Sequence, residues 1–155
     1  MNIASKISEL NGYAVAERTR LNDEQFAGAR AELEELLQSA LPPQYLVFVR
    51  DYGLYAVEAT VKGQDMPVAV FLGLNPNYPD DPFNLVRAYQ TYKDIIPNTT
   101  LPVAYDDYGN VFIIHLKTSA VFFFDHETQT VEAIADDFDS FLDLLELLSD
   151  DDLAE

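Results

Sequence analysis

The sequence predicts an α+β domain with a mainly antiparallel sheet of about six strands, flanked by helices. Three observations lead to this fold class. Apolar residues recur every three or four positions in the first third of the chain, which is typical of helices. Short apolar or alternating runs separated by turn residues follow, which is typical of hairpins. A last apolar stripe at helical spacing then follows the strands, and this order favours α+β over a parallel α/β sheet.

Three helices are expected at the start. A short helix spans Ile3–Leu10 and is ended by Gly12. A second begins at Asn22, which can cap it while Gln25 supplies the reciprocal cap. Leu41-Pro42-Pro43 ends that helix and starts a third, which stops at Gly53. The apolar faces of the second and third helices are Phe26, Ala29, Leu33, Leu36 and Leu37, and Tyr45, Phe48, Val49 and Tyr52.

A hairpin is expected next. Residues Leu54–Lys62 alternate between apolar and polar, which indicates a strand wetted on one face. Gly63-Gln64-Asp65 supplies the turn, and Met66–Leu74 returns as a nearly continuous apolar strand. The difference between the two strands predicts an edge position for the first and an interior position for the second.

A proline-rich loop and a helix follow the hairpin. Asn75–Pro82 contains three prolines, so we expect an irregular but ordered loop. Asp81 is expected to cap the next helix and Pro82 to lie in its first turn. This helix would end before Pro97.

The last part of the chain predicts a meander of four strands and a closing helix. The strands are expected at 101–105, 111–116, 120–124 and 130–134. Asp136 or Asp137 would cap the helix, whose apolar stripe is Phe138, Phe141, Leu142, Leu145 and Leu148. Since there is no internal repeat or linker, we expect a single domain over residues 1–155, with an acidic tail at 148–155.

Charge is the most unusual bulk property. The 27 Asp and Glu outnumber the nine Lys and Arg, which gives a net charge of −18. Such a surface repels phosphate groups, so direct binding to nucleic acid or to an anionic membrane is not expected. It would accelerate encounter with a basic protein. Alternatively, the charge only keeps the protein in solution by self-repulsion.

The location is predicted to be cytoplasmic. The absence of cysteine excludes disulfides and thiolate catalysis and is compatible with a cytosolic protein. The start of the chain does not resemble a secretory leader. The longest apolar runs are far shorter than the ~20 residues that cross a bilayer.

The sequence does not predict an enzyme. Its two histidines, His115 and His126, form no metal-binding motif, and neighbours in Asp125-His126-Glu127 point apart on a strand. His115 is expected to be a hydrogen-bonded structural residue. The run Asp150-Asp151-Asp152 lacks the spacing of a calcium loop. No catalytic residue, metal site or cofactor is therefore predicted.

Two segments are candidates for partner binding because both combine tyrosines with acids in regions expected to be exposed. The first is the proline-rich loop and the second the turn between two strands of the meander. Alternatively, these residues serve turns and caps only, and the acidic C-terminal region would be the next candidate. The candidate residues are Tyr78, Asp80 and Asp81 in the loop, and Asp106, Asp107, Tyr108 and Asn110 in the turn.

Several stretches occur together in an order that resembles one known family. Leu41–Gly53 matches a pattern LP-x-x-Y-x-x-F-x-x-x-Y-G, and Phe71–Leu74 is similar to a glycine-bearing strand. Leu101–Asn110 and Val121–Glu127 are similar to a strand pair and its following strand, and Ile134–Leu142 to a closing helix. This order resembles the SUKH superfamily, the bacterial immunity-protein relatives of a fungal cell-wall-assembly regulator.

The resemblance implies an immunity protein that binds and neutralises a cognate bacterial toxin without catalysis. The implied fold is a curved antiparallel sheet with flanking helices. A basic, nuclease-like toxin would suit the acidic surface. The alternative is a regulatory or scaffold module that binds another protein partner.

Overall fold

Five helices and eight strands make up the computed structural model, which describes residues 2–15, 21–78 and 80–148. The acidic run Asp150–Asp152 lies outside the described residues, as does the expected tail from residue 149 onward. The helices are α1 (Ile3–Glu9), α2 (Asp23–Leu37), α3 (Pro43–Tyr52), α4 (Leu85–Tyr92) and α5 (Phe138–Asp143). The strands are β1 (Tyr13–Ala14), β2 (Tyr55–Val61), β3 (Pro67–Phe71), β4 (Thr100–Tyr105), β5 (Val111–His115), β6 (Val121–Asp125), β7 (Thr130–Ala135) and β8 (Leu145–Leu147).

The strands form one antiparallel sheet in the order β1-β2-β3-β4-β5-β6-β7, and β8 also pairs with β2. This confirms the α+β class and the mainly antiparallel sheet, with eight strands in place of about six. The two additional strands, β1 and β8, have two and three residues. Such short segments carry no recognisable alternation of apolar and polar residues.

The expectation that β2 is an edge strand is wrong. Its first residues pair with β1 at Tyr55 and Ala56, and its last residues pair with β8 from Ala59 to Val61. A bulge between Ala56 and Ala59 separates the two pairings. The alternation of apolar and polar residues in β2 therefore does not indicate an edge strand. The short strands β1 and β8, which are distant from β2 in sequence, pair with the edge that was expected to be free.

The closing helix is shorter than its apolar stripe predicted. Asp137 caps α5 by accepting a hydrogen bond from the Ser140 N–H at 2.8 Å, as expected. The helix ends at Asp143, and Leu145 is buried from strand β8 instead. Placing Leu145 and Leu148 on the helix was therefore wrong. An apolar residue at this spacing can be buried from a helix or from a strand, so spacing alone does not distinguish the two conformations.

The start of α4 also differs from the prediction. Asn84, not Asp81, is the N-cap, and Pro82 precedes the helix. Asp81 instead accepts hydrogen bonds from the Phe83 N–H at 2.9 Å and from Asn75 Nδ2 at 3.2 Å. The chain is held here because Gly73 donates to the Phe83 carbonyl and accepts from the Leu85 N–H. By contrast, the reciprocal cap between Asn22 and Gln25 at α2 is present as predicted.

Aromatic rings fill the centre of the main core, between the sheet and helices α3 and α5. The Phe48 ring lies 4.8 Å from Phe71 and 4.9 Å from Phe138, and Phe112 lies 5.3 Å from Phe141. All five rings are buried, and Phe48, Phe138 and Phe141 come from the apolar helix faces that the sequence predicted. Tyr52 was predicted in the same core but is only half-buried.

A smaller core lies on the opposite face of the sheet. Val111 and Ile113 flank Phe112 on β5, so their side chains point away from the main core. They pack with Ile96 and Phe124. Tyr92 and Tyr105 lie at the margin of this second cluster, where the sheet face becomes accessible.

Candidate functional site

Asp106 organises the turn between β4 and β5. Its Oδ1 accepts the N–H groups of Tyr108 and Asn110, both at 2.8 Å, and its Oδ2 accepts Asn110 Nδ2 at 2.8 Å. Only 7% of Asp106 is exposed. The carboxylate is thus committed to the turn, while Asp107 and Tyr108 are exposed.

Asn110 ties this turn to the turn between β6 and β7. Its Oδ1 accepts the backbone N–H of His126 at 3.0 Å and lies 2.7 Å from Nδ1 of the His126 ring. Gly109 has a φ of +88°, and a Cβ atom there would lie 3.3 Å from the same ring. Asn110 and His126 therefore hold two hairpin ends together. His115 is structural as predicted, since its Nδ1 accepts the N–H groups of Lys117 and Thr118.

The three candidate residues of the proline-rich loop differ in their exposure and in their bonding partners. Tyr78 is 63% exposed. Asp80 is exposed and lies 3.9 Å from Nη1 of Arg87 on α4. Asp81 is half-buried and bonded within the loop. Asp81 and Asp106 therefore shape their segments, and the exposed candidates are Tyr78, Asp80, Asp107 and Tyr108.

A groove of about 710 Å³ separates the two candidate segments. Pro82 and Phe83 line it from the end of the loop, and Asp106, Asp107 and Gly109 line it from the turn. The other lining residues come from α4, the sheet and the segment around β1: Arg87, Thr91, Tyr92, Tyr105, Ala56, Ala69, Val70, Tyr13 and Val15.

Two tyrosines connect the segments on either side of the groove. The hydroxyl of Tyr105 on β4 donates to the Pro82 carbonyl at 2.9 Å. The hydroxyl of Tyr92 on α4 donates to the Gly109 carbonyl at 3.3 Å. Each ring thus lines the groove while its hydroxyl holds one wall in place.

Burial and neighbouring groups raise the pKa values of the two groove tyrosines. Burial raises the pKa of Tyr105 above its ordinary value, and nearby Tyr92 and Asp81 raise it further. Burial also raises the pKa of Tyr92, and the Asp106 carboxylate adds to the shift. Both phenols therefore stay neutral at physiological pH and keep their hydroxyl protons for the bonds described.

The structure unites only part of the predicted site. Asp106 and Asp107 line the groove, whereas the other five candidates do not: Tyr78, Asp80, Asp81, Tyr108 and Asn110. The sequence predicted a strand at 101–105 that contains Tyr105, but it gave no indication that Tyr13, Tyr92 and Tyr105 line one groove. The only available signal for Tyr13 was an isolated tyrosine before the second helix. No local pattern relates it to Tyr92 and Tyr105, which lie 79 and 92 positions further along the chain.

Within the described ranges, no group of three or more His, Asp or Glu side chains is placed to hold a metal ion. None of the helices in this part of the chain is both long and apolar enough to cross a membrane.

A family model described as the SMI1 / KNR4 family (SUKH-1) matches residues 23–144. The chain belongs to this family. The SUKH-1 match begins with α2 and ends just after α5, so it covers most of the main core but not Ile7, Leu10 and Leu145. Tyr13 and Val15, on one side of the groove, lie outside the SUKH-1 match. No curated protein matches the sequence.

Proposed function

We propose that this SUKH-1 protein is an immunity protein that binds a cognate bacterial toxin and neutralises it. Membership of the family is the observation that carries the proposal. Inhibition would be stoichiometric and would occur by covering the toxin's active site or the path of its substrate. No reaction is required of the immunity protein itself.

The charge of the chain supports a basic toxin as the partner. A net charge of −18 would accelerate association with a positively charged surface, such as the substrate groove of a nuclease. The acidic protein would there take the place of the negatively charged substrate. Exposed Asp107 lines the groove, and exposed Asp80 lies 3.9 Å from the lining residue Arg87, so both acids could contribute to such contacts.

The test is co-expression with the toxin-like product of a neighbouring gene. We expect the two proteins to co-purify, and the toxin's activity to fall linearly with added immunity protein to a sharp end point. A catalytic inactivator would instead abolish activity at far below equimolar amounts. Absence of binding to any neighbouring toxin-like product would favour the alternative, a regulatory or scaffold interaction module.

A further inference from the structure

The groove between α4 and the β4–β5 turn combines aromatic rings with negative charge. We propose that it receives an extended, arginine- or lysine-bearing segment of the toxin. That the segment belongs to the toxin rests on the proposed immunity function. Its basic character is inferred from the groove itself.

The aromatic residues supply the first part of the argument. Tyr13, Tyr92 and Tyr105 all line the groove, and Tyr13 is 62% exposed. Tyrosine is enriched among the residues that dominate binding energy at protein interfaces. The faces of such rings also attract cations, and arginine most often.

The charges supply the second part. Asp107 is exposed at the rim. The Asp106 carboxylate lies close enough to raise the pKa of the half-buried Tyr92 phenol, and the Asp81 carboxylate does the same for the half-buried Tyr105 phenol. Arg87 is the one cation among the described lining residues, and it lies beside Asp80. An anionic segment would be repelled here, while a cationic one would be attracted.

Hydrogen bonding supplies the third part. The hydroxyls of Tyr92 and Tyr105 donate hydrogen bonds to backbone carbonyls, so each oxygen keeps a lone pair that can accept one. Guanidinium and ammonium groups carry donors only, and they match this arrangement. The volume of about 710 Å³ is sufficient for several side chains, and Ala56 and Ala69 contribute only small side chains to the lining.

The first experiment uses a defined probe, the peptide acetyl-Gly-Arg-Gly-Arg-Gly-amide, with the glutamate analogue as its control. Chemical-shift changes in NMR spectra should concentrate on groove residues. We expect Tyr13→Ala to weaken peptide binding by about fivefold or more. Tyr78→Ala is the matched control, because Tyr78 is equally exposed but outside the groove. Shifts spread evenly over the acidic surface, or equal effects of the two substitutions, would overturn the proposal.

The second experiment uses the toxin. Thr91→Arg places a cation on the groove wall, and Gln90→Arg makes the same charge change on α4 outside the lining. Asp107→Asn and Asp65→Asn form a second matched pair of exposed acids. We expect toxin binding to fall by about tenfold for Thr91→Arg and to change less than twofold for Gln90→Arg.

The two proposals can fail separately. If the wild-type protein binds and inhibits the toxin but Thr91→Arg and Tyr13→Ala do so equally well, the groove is excluded and the immunity function stands. If the wild-type protein binds no toxin, the immunity function fails, and the peptide experiment still decides whether the groove takes cationic segments.

Discussion

Gly53 and Gly73 pack main chain against main chain. A Cβ atom added to Gly73 would lie 2.8 Å from the carbonyl carbon of Gly53 and 2.9 Å from its Cα atom. Gly53 has a φ of −62°, which any residue adopts, so the contact and not the torsion angle requires glycine. The contact allows the end of α3 to lie directly beside the end of β3.

Gly73→Ala should therefore destabilise the protein by about 1–3 kcal/mol through overpacking against backbone atoms. Gly28→Ala is the control, because a Cβ atom at this position in α2 meets nothing within 4 Å. Alanine there should stabilise the helix by up to about 1 kcal/mol. Urea unfolding measures both. Equal stability of Gly73→Ala and the parent would show that the backbone contact can relax.

Phe141→Ala should lower the free energy of unfolding by about 3–5 kcal/mol, because it removes a fully buried ring from the main core. Val47 on α3 is exposed, so Val47→Ala should change stability by less than about 0.5 kcal/mol. Denaturant titration of the two variants tests the contrast. A loss below about 1 kcal/mol for Phe141→Ala would mean that the core closes around the cavity.

Tyr45→Phe should stabilise the protein by about 1 kcal/mol or slightly more. The Tyr45 hydroxyl is buried and has no hydrogen-bond partner among the described residues, and its burial raises the pKa of the phenol. Phenylalanine keeps the ring, which lies 5.1 Å from Phe138. Thermal and urea unfolding provide the measurement. A less stable variant would reveal a partner for the hydroxyl.

Asp106→Ala should destabilise the protein by about 2–3 kcal/mol, because three donors of the turn lose a buried carboxylate. Asp107→Ala next to it should have an effect within about 0.5 kcal/mol, since the side chain is exposed. A binding test on this turn therefore has to change Asp107 and retain Asp106. Similar stabilities of the two variants would contradict the assigned role of Asp106.

Asp137 should titrate below the ordinary aspartate pKa of 3.8, because it accepts a hydrogen bond from the Ser140 N–H at the start of α5. A lowered pKa in the folded state stabilises the protein above pH 3.8, and this stabilisation is lost as pH falls through the folded-state value. Carboxyl-detected NMR measures the titration. Asp137→Asn should lack this acid-dependent loss, and an ordinary pKa for Asp137 would refute the assignment.

Local signals in the sequence were the most reliable. The cap at Asn22, the cap at Asp137 and the four strands of the meander each depend on residues close in sequence, and the structure confirms them. The start of α4 was misplaced because a backbone pairing with Gly73 competes with the capping preference of Asp81. β1 and β8 are strands because they pair with β2, so no local pattern in the sequence predicted them.

The candidate site was predictable only in part. The acids of one turn, Asp106 and Asp107, identified one wall of the groove, but the candidate residues of the proline-rich loop do not line the other wall. Tyr13, Tyr92 and Tyr105 are brought together by the order of the strands and by the packing of α4 against β4, which composition and spacing do not encode. The buried state of Asp106 likewise depends on the conformation of its turn.

The pairing of β1 and β8 with the same strand has a consequence for biogenesis. Residues 13–14 and 145–147 flank one bulge of β2, and Lys6 Nζ donates to the Leu145 carbonyl at 3.1 Å. On the ribosome, β2 is synthesised long before β8. The part of the β2 edge that pairs with β8, from Ala59 to Val61, therefore lacks its partner during elongation. An unpaired strand edge of this kind is a template for pairing with another chain. Truncated or stalled nascent chains should therefore aggregate, and the sheet can be completed only when translation has passed residue 147.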